Sequence, residues 1–356
     1  MERISPTIAR HVLPNGLVLV AETMPHARSV SVGIWLRAGS RKEPAPLNGI
    51  AHFIEHMVFK GTERRSAEQI AREVDSVGGM LDAFTAKESA CFNARVLGEH
   101  LPLAFDVLSD MVLRPLFADP DIVKEKQVIL EEIRMEEDNP EAVAHEVLTQ
   151  NFWRGHPLGW PIIGTRATVK GFKRADLVKC FGPWYAPDNL VVTAAGSLQP
   201  EKLRDLVEAT FGGRNPKAGV ARKSAAPTPH ARLVTRNKPA LEQAHITIAV
   251  PSYPLAHPRR YAASILNNIL GGGMSSRLFQ NIREREGLAY AVFSEMTPYS
   301  DAGMFSIYAG TARQNVERVL RLVADEFRKM KQEPVSEEEL RRAKEHLKGS
   351  LVLSLE

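Results

Sequence analysis

The stretch "GIAHFIEHMVFKGTE", residues 49–63, places two histidines four apart with a glutamate directly before the second. A helix turns about 100° per residue, so His52 and His56 fall one turn apart on one face with Glu55 beside them. Histidine pairs at this spacing also arise on solvated or hydrogen-bonded helices. Here the flanking residues of "IAHFIEHMVF" are apolar, and burying two imidazoles and a carboxylate in such a helix is expensive unless they are paired or bind something.

A catalytic zinc ion takes three protein ligands and keeps a fourth position open, with imidazole nitrogens and carboxylate oxygens among its usual donors. His52 and His56 supply two corners, and Glu55 is placed to act as general base on a water activated by the metal. The third ligand must come from another segment. A long helix opens near Asp119 and runs "DIVKEKQVILEEIRMEED". Glu125 and Glu132 lie on one line of it, since seven residues turn ~700°, about 20° short of two full turns, whereas Glu131 lies about 100° away.

Outward from this segment the element types form two series. "RHVLPNGLVLVAET" reads as a hairpin turning at Asn15-Gly16, and "SVSVGIWLRAGS" as an alternating strand. The His52 helix follows, then a helix capped by Ser66, the strand pair "LDAFTAKESACFNARVL", the helix "LPLAFDVLSDMV" and the long Glu125–Glu132 helix. "VKGFKRADLVKCFGPWY" is predicted as one helix, "NLVVTAAGS" as a strand and "EKLRDLVEATFGG" as a closing helix. From residue 243 the order strand, helix, helix, strand pair, helix, helix recurs, which predicts two copies of one α+β unit, each a mainly antiparallel sheet packed with helices.

The expected boundaries are a first domain over 1–213, a polar, proline-containing linker over 214–230 and a second domain over 231–356. The second series stops inside the helix equivalent to the one bearing Glu132. The expectation is therefore that the last part of the second domain is missing from this chain.

Of the 356 residues, 44% are hydrophobic and 25% charged, which is ordinary globular composition and enough for more than one core. Lys and Arg number 46 against 42 acids, without a long block of one sign, so neither a nucleic-acid nor a membrane partner is indicated. Cys91 and Cys180 are the only cysteines, too few for a thiolate zinc site, and they fit a reducing compartment. No signal-like or membrane-spanning apolar run is present, and a soluble, cytoplasmic protein is expected. "GGGMSSRLF", residues 271–279, lacks the Gly-Lys-Ser/Thr ending of a phosphate-binding loop and reads as a hinge or wall loop. No nucleophile elbow is evident.

His-x-x-Glu-His is the inverted zinc motif of the inverzincin metallopeptidases, and "GIAHFIEHMVFKGT" resembles the family of mitochondrial processing peptidase and insulin-degrading enzyme (peptidase family M16), in particular its bacterial processing-peptidase-like members. The resemblance spans essentially the whole chain. It implies a zinc metalloendopeptidase of two similar α+β domains forming the halves of a clam-like chamber. It puts the third ligand 76 residues beyond the second histidine, on Glu132, and a supporting acid on Glu125. "RLFQNIREREGLAYAV" is similar to the family's Arg and Tyr seven residues apart, matched by Arg283 and Tyr290, which would hold the peptide and polarise its carbonyl. "DAFTAKESACF" matches the edge strand that an extended substrate joins, with Ala83, Phe84 and Thr85 at that edge and Asp82 where the family pattern begins with Asn. The implied partners are a peptide or unfolded segment as substrate and a second chain in a homodimer or paired subunit. A different class of reading is an inactive partner or scaffold subunit that keeps the fold without the catalysis.

Overall fold

Alternation in the N-terminal third builds most of one sheet. The computed structural model describes residues 1–216 and 226–355. Its first strands are β1 (Glu2–Arg3), β2 (Ile8–Val12), β3 (Val18–Thr23) and β4 (Ser29–Leu36). β2 and β3 form the expected antiparallel hairpin, with Gly16 at φ +89° in its turn. Helices α1 (Ile50–Val58) and α2 (Ala67–Asp75) follow, then the hairpin β5 (Met80–Thr85) and β6 (Ala90–Leu97). Ser66 caps α2 in a reciprocal capping box with Gln69. Helices α3 (Leu101–Leu113), α4 (Asp119–Asp138) and α5 (Pro140–Phe152) come next.

The single helix expected over 169–185 is two, α6 (Arg166–Gly171) and α7 (Arg174–Trp184). Lys173 begins the second, its backbone N–H donating to the Asp176 carboxylate, and this local bond competes with continuous helix. β7 (Leu190–Gly196) and α8 (Pro200–Phe211) complete the series.

The seven strands lie in the order β1-β2-β3-β7-β4-β6-β5. Every pairing is antiparallel except that of β7 with β3. One face carries Val30, Val32, Ile34, Phe92, Ala94 and Val192, which pack in a single core with Phe53, Ile54 and Met57 of α1 and Val107, Leu108 and Met111 of α3. β5 closes one end of the sheet, next to α1.

Downstream lie β8 (Gln243–Ser252), α9 (Arg260–Leu270), a π-helical segment (Phe279–Arg285), β9 (Ala289–Pro298), β10 (Gly303–Ala312), α10 (Val316–Gln332) and α11 (Glu337–Leu353). Their sheet has the order β8-β10-β9, antiparallel throughout. That matches the sub-order β4-β6-β5 of the first sheet, so the repeat inferred from element types is also a repeat of strand pairing. The core here joins Leu270, Leu278, Ile282, Ile307, Val319 and Val323.

The chain divides into two compact units. One begins with Met1–Met135 and resumes at Trp160; the other takes Glu136–Gly159 and the downstream series. Residues 136–159 thus leave the first domain, where the division at 213 had put them. The cause is packing: α5 lies along β8, the Thr247 hydroxyl donates to the Ala144 carbonyl, and Phe152, Trp153 and Leu158 form a cluster with Tyr299 and Met304. Of the expected linker, residues 217–225 lie outside the described residues. Among the described residues no helix is long and apolar enough to cross a membrane.

Candidate metal centre

α1 is nine residues long and divides by spacing. Ile50, Phe53, Ile54 and Met57, at i, i+3, i+4 and i+7, are fully buried. His52, Glu55 and His56, at i, i+3 and i+4, fall on the other side, so the pattern that seats the helix also gathers the three polar groups on one line. α4 does the same with Ile122, Ile129 and Ile133 in the core and Glu125 and Glu132 turned toward α1.

The two helices bring His52, His56 and Glu132 together, with one ligand atom from each within 4.8 Å of the others. His52 Nε2 is 3.7 Å from Glu132 Oε1, and His56 Nε2 is 3.7 Å from Glu132 Oε2. The imidazoles stand 4.6 Å apart between centroids. Both imidazole–carboxylate distances exceed a hydrogen bond. Two donors ~2.1 Å from a shared tetrahedral ion would be about 3.4 Å apart, so the set is close to the spacing such an ion requires. Glu132 Oε2 is buried without a hydrogen-bond partner among the described residues, a state that costs free energy unless a cation occupies the gap. This donor set of two imidazoles and one carboxylate fits zinc.

Protonation favours the same use. Burial pushes His52 down to about 4, with the neighbouring His56 adding to the effect, so its ring is neutral and keeps a lone pair at neutral pH. Burial raises Glu132, while His56 pulls it back. For Glu125, which is 4% exposed, burial acts upward but the bonds from His56 and Lys60 outweigh it and hold the carboxyl below its ordinary value. Glu125 Oε2 lies 3.1 Å from His56 Nδ1, and Lys60 Nζ is 2.8 Å from Oε1. A carboxylate there keeps the imidazole proton on Nδ1 and leaves Nε2 facing Glu132.

Glu55 sits next to this group with its carboxyl raised by burial, which exceeds the opposing effects of Thr85 and His56. The Thr85 hydroxyl donates to Glu55 Oε2. Thr85 is the last residue of β5, so the edge strand fixes the orientation of that carboxylate. Phe84 points to the other face of the sheet, where it lines a cavity of about 340 Å³ with Trp35 and Asn93. The Ala83 backbone N–H donates to the Asp82 side chain at 2.9 Å. Arg283 and Tyr290 belong to the second unit, where the Arg283 guanidinium lies over the rings of both Phe279 and Tyr290, 4.7 and 4.6 Å from their centroids.

Residues 18–166 match the family described as "Insulinase (Peptidase family M16)", and residues 171–347 that described as "Peptidase M16 inactive domain". An uncharacterized zinc protease of Bacillus subtilis is 41% identical over 98% of this chain and 85% of its own length. The chain belongs to peptidase family M16. An uncharacterized zinc protease of Streptomyces coelicolor is 40% identical over 98% of this chain and 78% of its own length. A Helicobacter pylori protease in a crystal structure is similar in fold, with TM-score 0.89 and 22% identity, covering 99% of this chain and 86% of that one. In this M16 chain the repeat is chemically asymmetric. α9 takes the place of α1 in the second series, yet "RYAASILNNIL" carries no histidine, aspartate or glutamate. Among the described residues, His52, His56 and Glu132 form the one group able to hold a metal.

Two residues close to the metal-centre segment lie outside the motif. Lys60 follows His56 at helical spacing, a detectable signal for its sharing of Glu125. Glu43 has no periodic relation to the motif, and its place beneath α1 becomes visible only in three dimensions.

Proposed function

We propose that this protein is a zinc-dependent metalloendopeptidase that cleaves peptides or unfolded, presequence-like segments. The observation that carries the reading is the convergence of His52, His56 and Glu132 within 4.8 Å, with the Glu55 carboxylate beside them. His52, His56 and Glu132 would hold the ion, and Glu125 would keep His56 in the tautomer that presents Nε2. Zinc at such a site supplies a Lewis acid that makes water acidic enough to yield a nucleophile near neutral pH.

Glu55 takes the proton of the attacking water as its oxygen bonds to the peptide carbonyl carbon. It then delivers that proton to the nitrogen as the C–N bond breaks, giving a carboxylic acid and an amine, which exchange the acid proton to become carboxylate and ammonium. A carboxyl raised by burial is better suited to both halves of this exchange than an ordinary one, because it holds the proton more firmly between taking it and returning it. Thr85 fixes the oxygen that its hydroxyl touches and leaves the other free for the transfer. An extended substrate joins the free edge of β5 at Ala83, Phe84 and Thr85 through backbone hydrogen bonds. Arg283 and Tyr290 steady the substrate carbonyl as negative charge grows on it.

The test of the ligand set is metal content. Wild-type protein should hold one zinc per chain, and H52A and E132A should hold far less. A full equivalent in either variant would sink the assignment.

A further inference from the structure

The loop entering α1 carries a carboxylate that this chemistry does not use. Glu43 is 3% exposed, and its oxygens receive three N–H groups. Oε2 accepts from the backbone of Gly49 at 2.8 Å and from Asn48 Nδ2 at 3.0 Å; Oε1 accepts from the backbone of Ala51 at 2.8 Å. Gly49 immediately precedes the helix and Ala51 is its second residue. A helix leaves its first N–H groups without intrahelical partners, and a cap residue usually supplies an acceptor from its own side chain. Gly49 has none to offer, so Glu43 serves from six residues upstream.

The surroundings hold Glu43 in turn. Asn48 Nδ2 also donates to the Pro161 carbonyl at 2.8 Å. The backbone N–H groups of Ser40 and Arg41 donate to the carbonyls of Ala86 and Lys87 at 3.0 and 2.8 Å, tying the loop to the β5–β6 turn. Burial pushes the Glu43 carboxyl up to about 7, and the bonds from Ala51, Gly49 and Asn48 act against that rise. These donors offset part of the loss of solvation.

His52 follows Ala51 directly, in the first turn. Its Nδ1 is buried without a hydrogen-bond partner among the described residues, so the ring takes its position from the backbone beneath it. His56 is held differently, by Glu125 on its own ring. We infer that Glu43 is a positioning residue for the metal centre: through Gly49 and Ala51 it fixes the first turn of α1, and with it the corner of the ligand set that His52 provides. This rests on the metal-centre reading above.

Chelator competition for zinc, run on wild type, E43Q, E43A, H52A and V74A, tests it. E43Q keeps one acceptor oxygen but sets an amide NH2 against a backbone N–H. Zinc should bind about 10-fold more weakly in E43Q and about 100-fold more weakly in E43A, the range seen when groups that orient metal ligands are removed. Val74 lies on α2 in the core, so V74A should lower the melting temperature and leave zinc affinity unchanged. In the metal-free proteins, hydrogen exchange at the Ala51 amide should accelerate about 10-fold in E43Q, with α3 amides unaffected.

If E43A fails to fold, E43Q and the exchange measurement carry the test. Wild-type zinc affinity in E43Q, with H52A binding no zinc, would overturn the role of Glu43 alone. Equal weakening in V74A and E43Q would overturn it too, as a general effect of lost stability. Failure of wild type to bind zinc would remove the metal centre and this inference with it.

Discussion

His56 Nδ1 and Glu125 Oε2 are 3.1 Å apart, joining the second histidine of α1 to a buried acid of α4. The other oxygen of that acid takes the Lys60 ammonium, so one carboxylate ties two residues of the motif segment to the helix that carries Glu132. E125A removes the group that selects the tautomer and leaves Lys60 without this partner. Zinc affinity should fall 10- to 100-fold, read by chelator competition at pH 7.5 or thereabouts. Unchanged affinity would show that His56 needs no such support.

Gly49 is placed under α1 at φ +95°, where an added Cβ would come 2.6 Å from Gly164 Cα and 2.7 Å from the Ile163 carbonyl oxygen. Both contacts are backbone and cannot swing aside. G49A therefore meets a left-handed conformation costing ~1–2 kcal/mol and a collision in addition, and stability should drop by about 3 kcal/mol or more. Denaturant unfolding of the metal-free protein measures this, and a loss under about 1 kcal/mol would contradict the packing described.

The pH dependence of stability should carry a mark of Glu43. Its carboxyl titrates at about 7 in the fold against an ordinary 4.5, burial being the main cause. The unfolded chain gives up this proton near 4.5 while the folded chain keeps it to about 7, so between those values the unfolded state binds fewer protons and stability falls as pH rises. At ~1.4 kcal/mol per unit, the contribution present below pH 4.5 and lost by pH 7 to 8 is about 3 kcal/mol. E43Q has no such proton. The stability difference between wild type and E43Q in the metal-free state should therefore move against wild type from pH 5 to pH 8; a difference independent of pH would contradict the burial-driven shift.

Tyr290 is 79% exposed although its ring covers Arg283. An exposed stack of this kind contributes only ~0.5–1 kcal/mol, and Y290F preserves it. Melting temperature should stay constant in Y290F while kcat/KM falls about 100-fold, as for loss of a donor to a developing oxyanion. Equal activity in Y290F would remove the hydroxyl from the mechanism.

Much of this arrangement was legible in the sequence because it follows from local periodicity. The i, i+3, i+4 spacing of His52, Glu55 and His56, the seven-residue spacing of Glu125 and Glu132, and the Asn15-Gly16 turn each depend on a few consecutive residues. Contacts between distant segments were not legible. β7 inserts between β3 and β4, parallel to β3, and nothing in "NLVVTAAGS" names its neighbours. α5 follows α4 directly yet packs on β8, about a hundred residues downstream, because its apolar side finds its complement there. Phe279–Arg285 was expected as an ordinary helix and is π-helical. Glu43 was invisible for the reason that moved α5: its partners are set by the fold, with no period to announce them.

The central claim is that His52, His56 and Glu132 hold zinc while Glu55 moves the proton. E55Q separates the two halves, since it leaves all three ligands in place and removes only the base. Zinc content and cleavage of a mixed peptide library, followed by mass spectrometry, should be measured on the same preparation of E55Q and wild type. One zinc per chain with no detectable cleavage in E55Q, beside an active wild type, is the predicted result; cleavage by E55Q at a rate comparable to wild type would contradict the account.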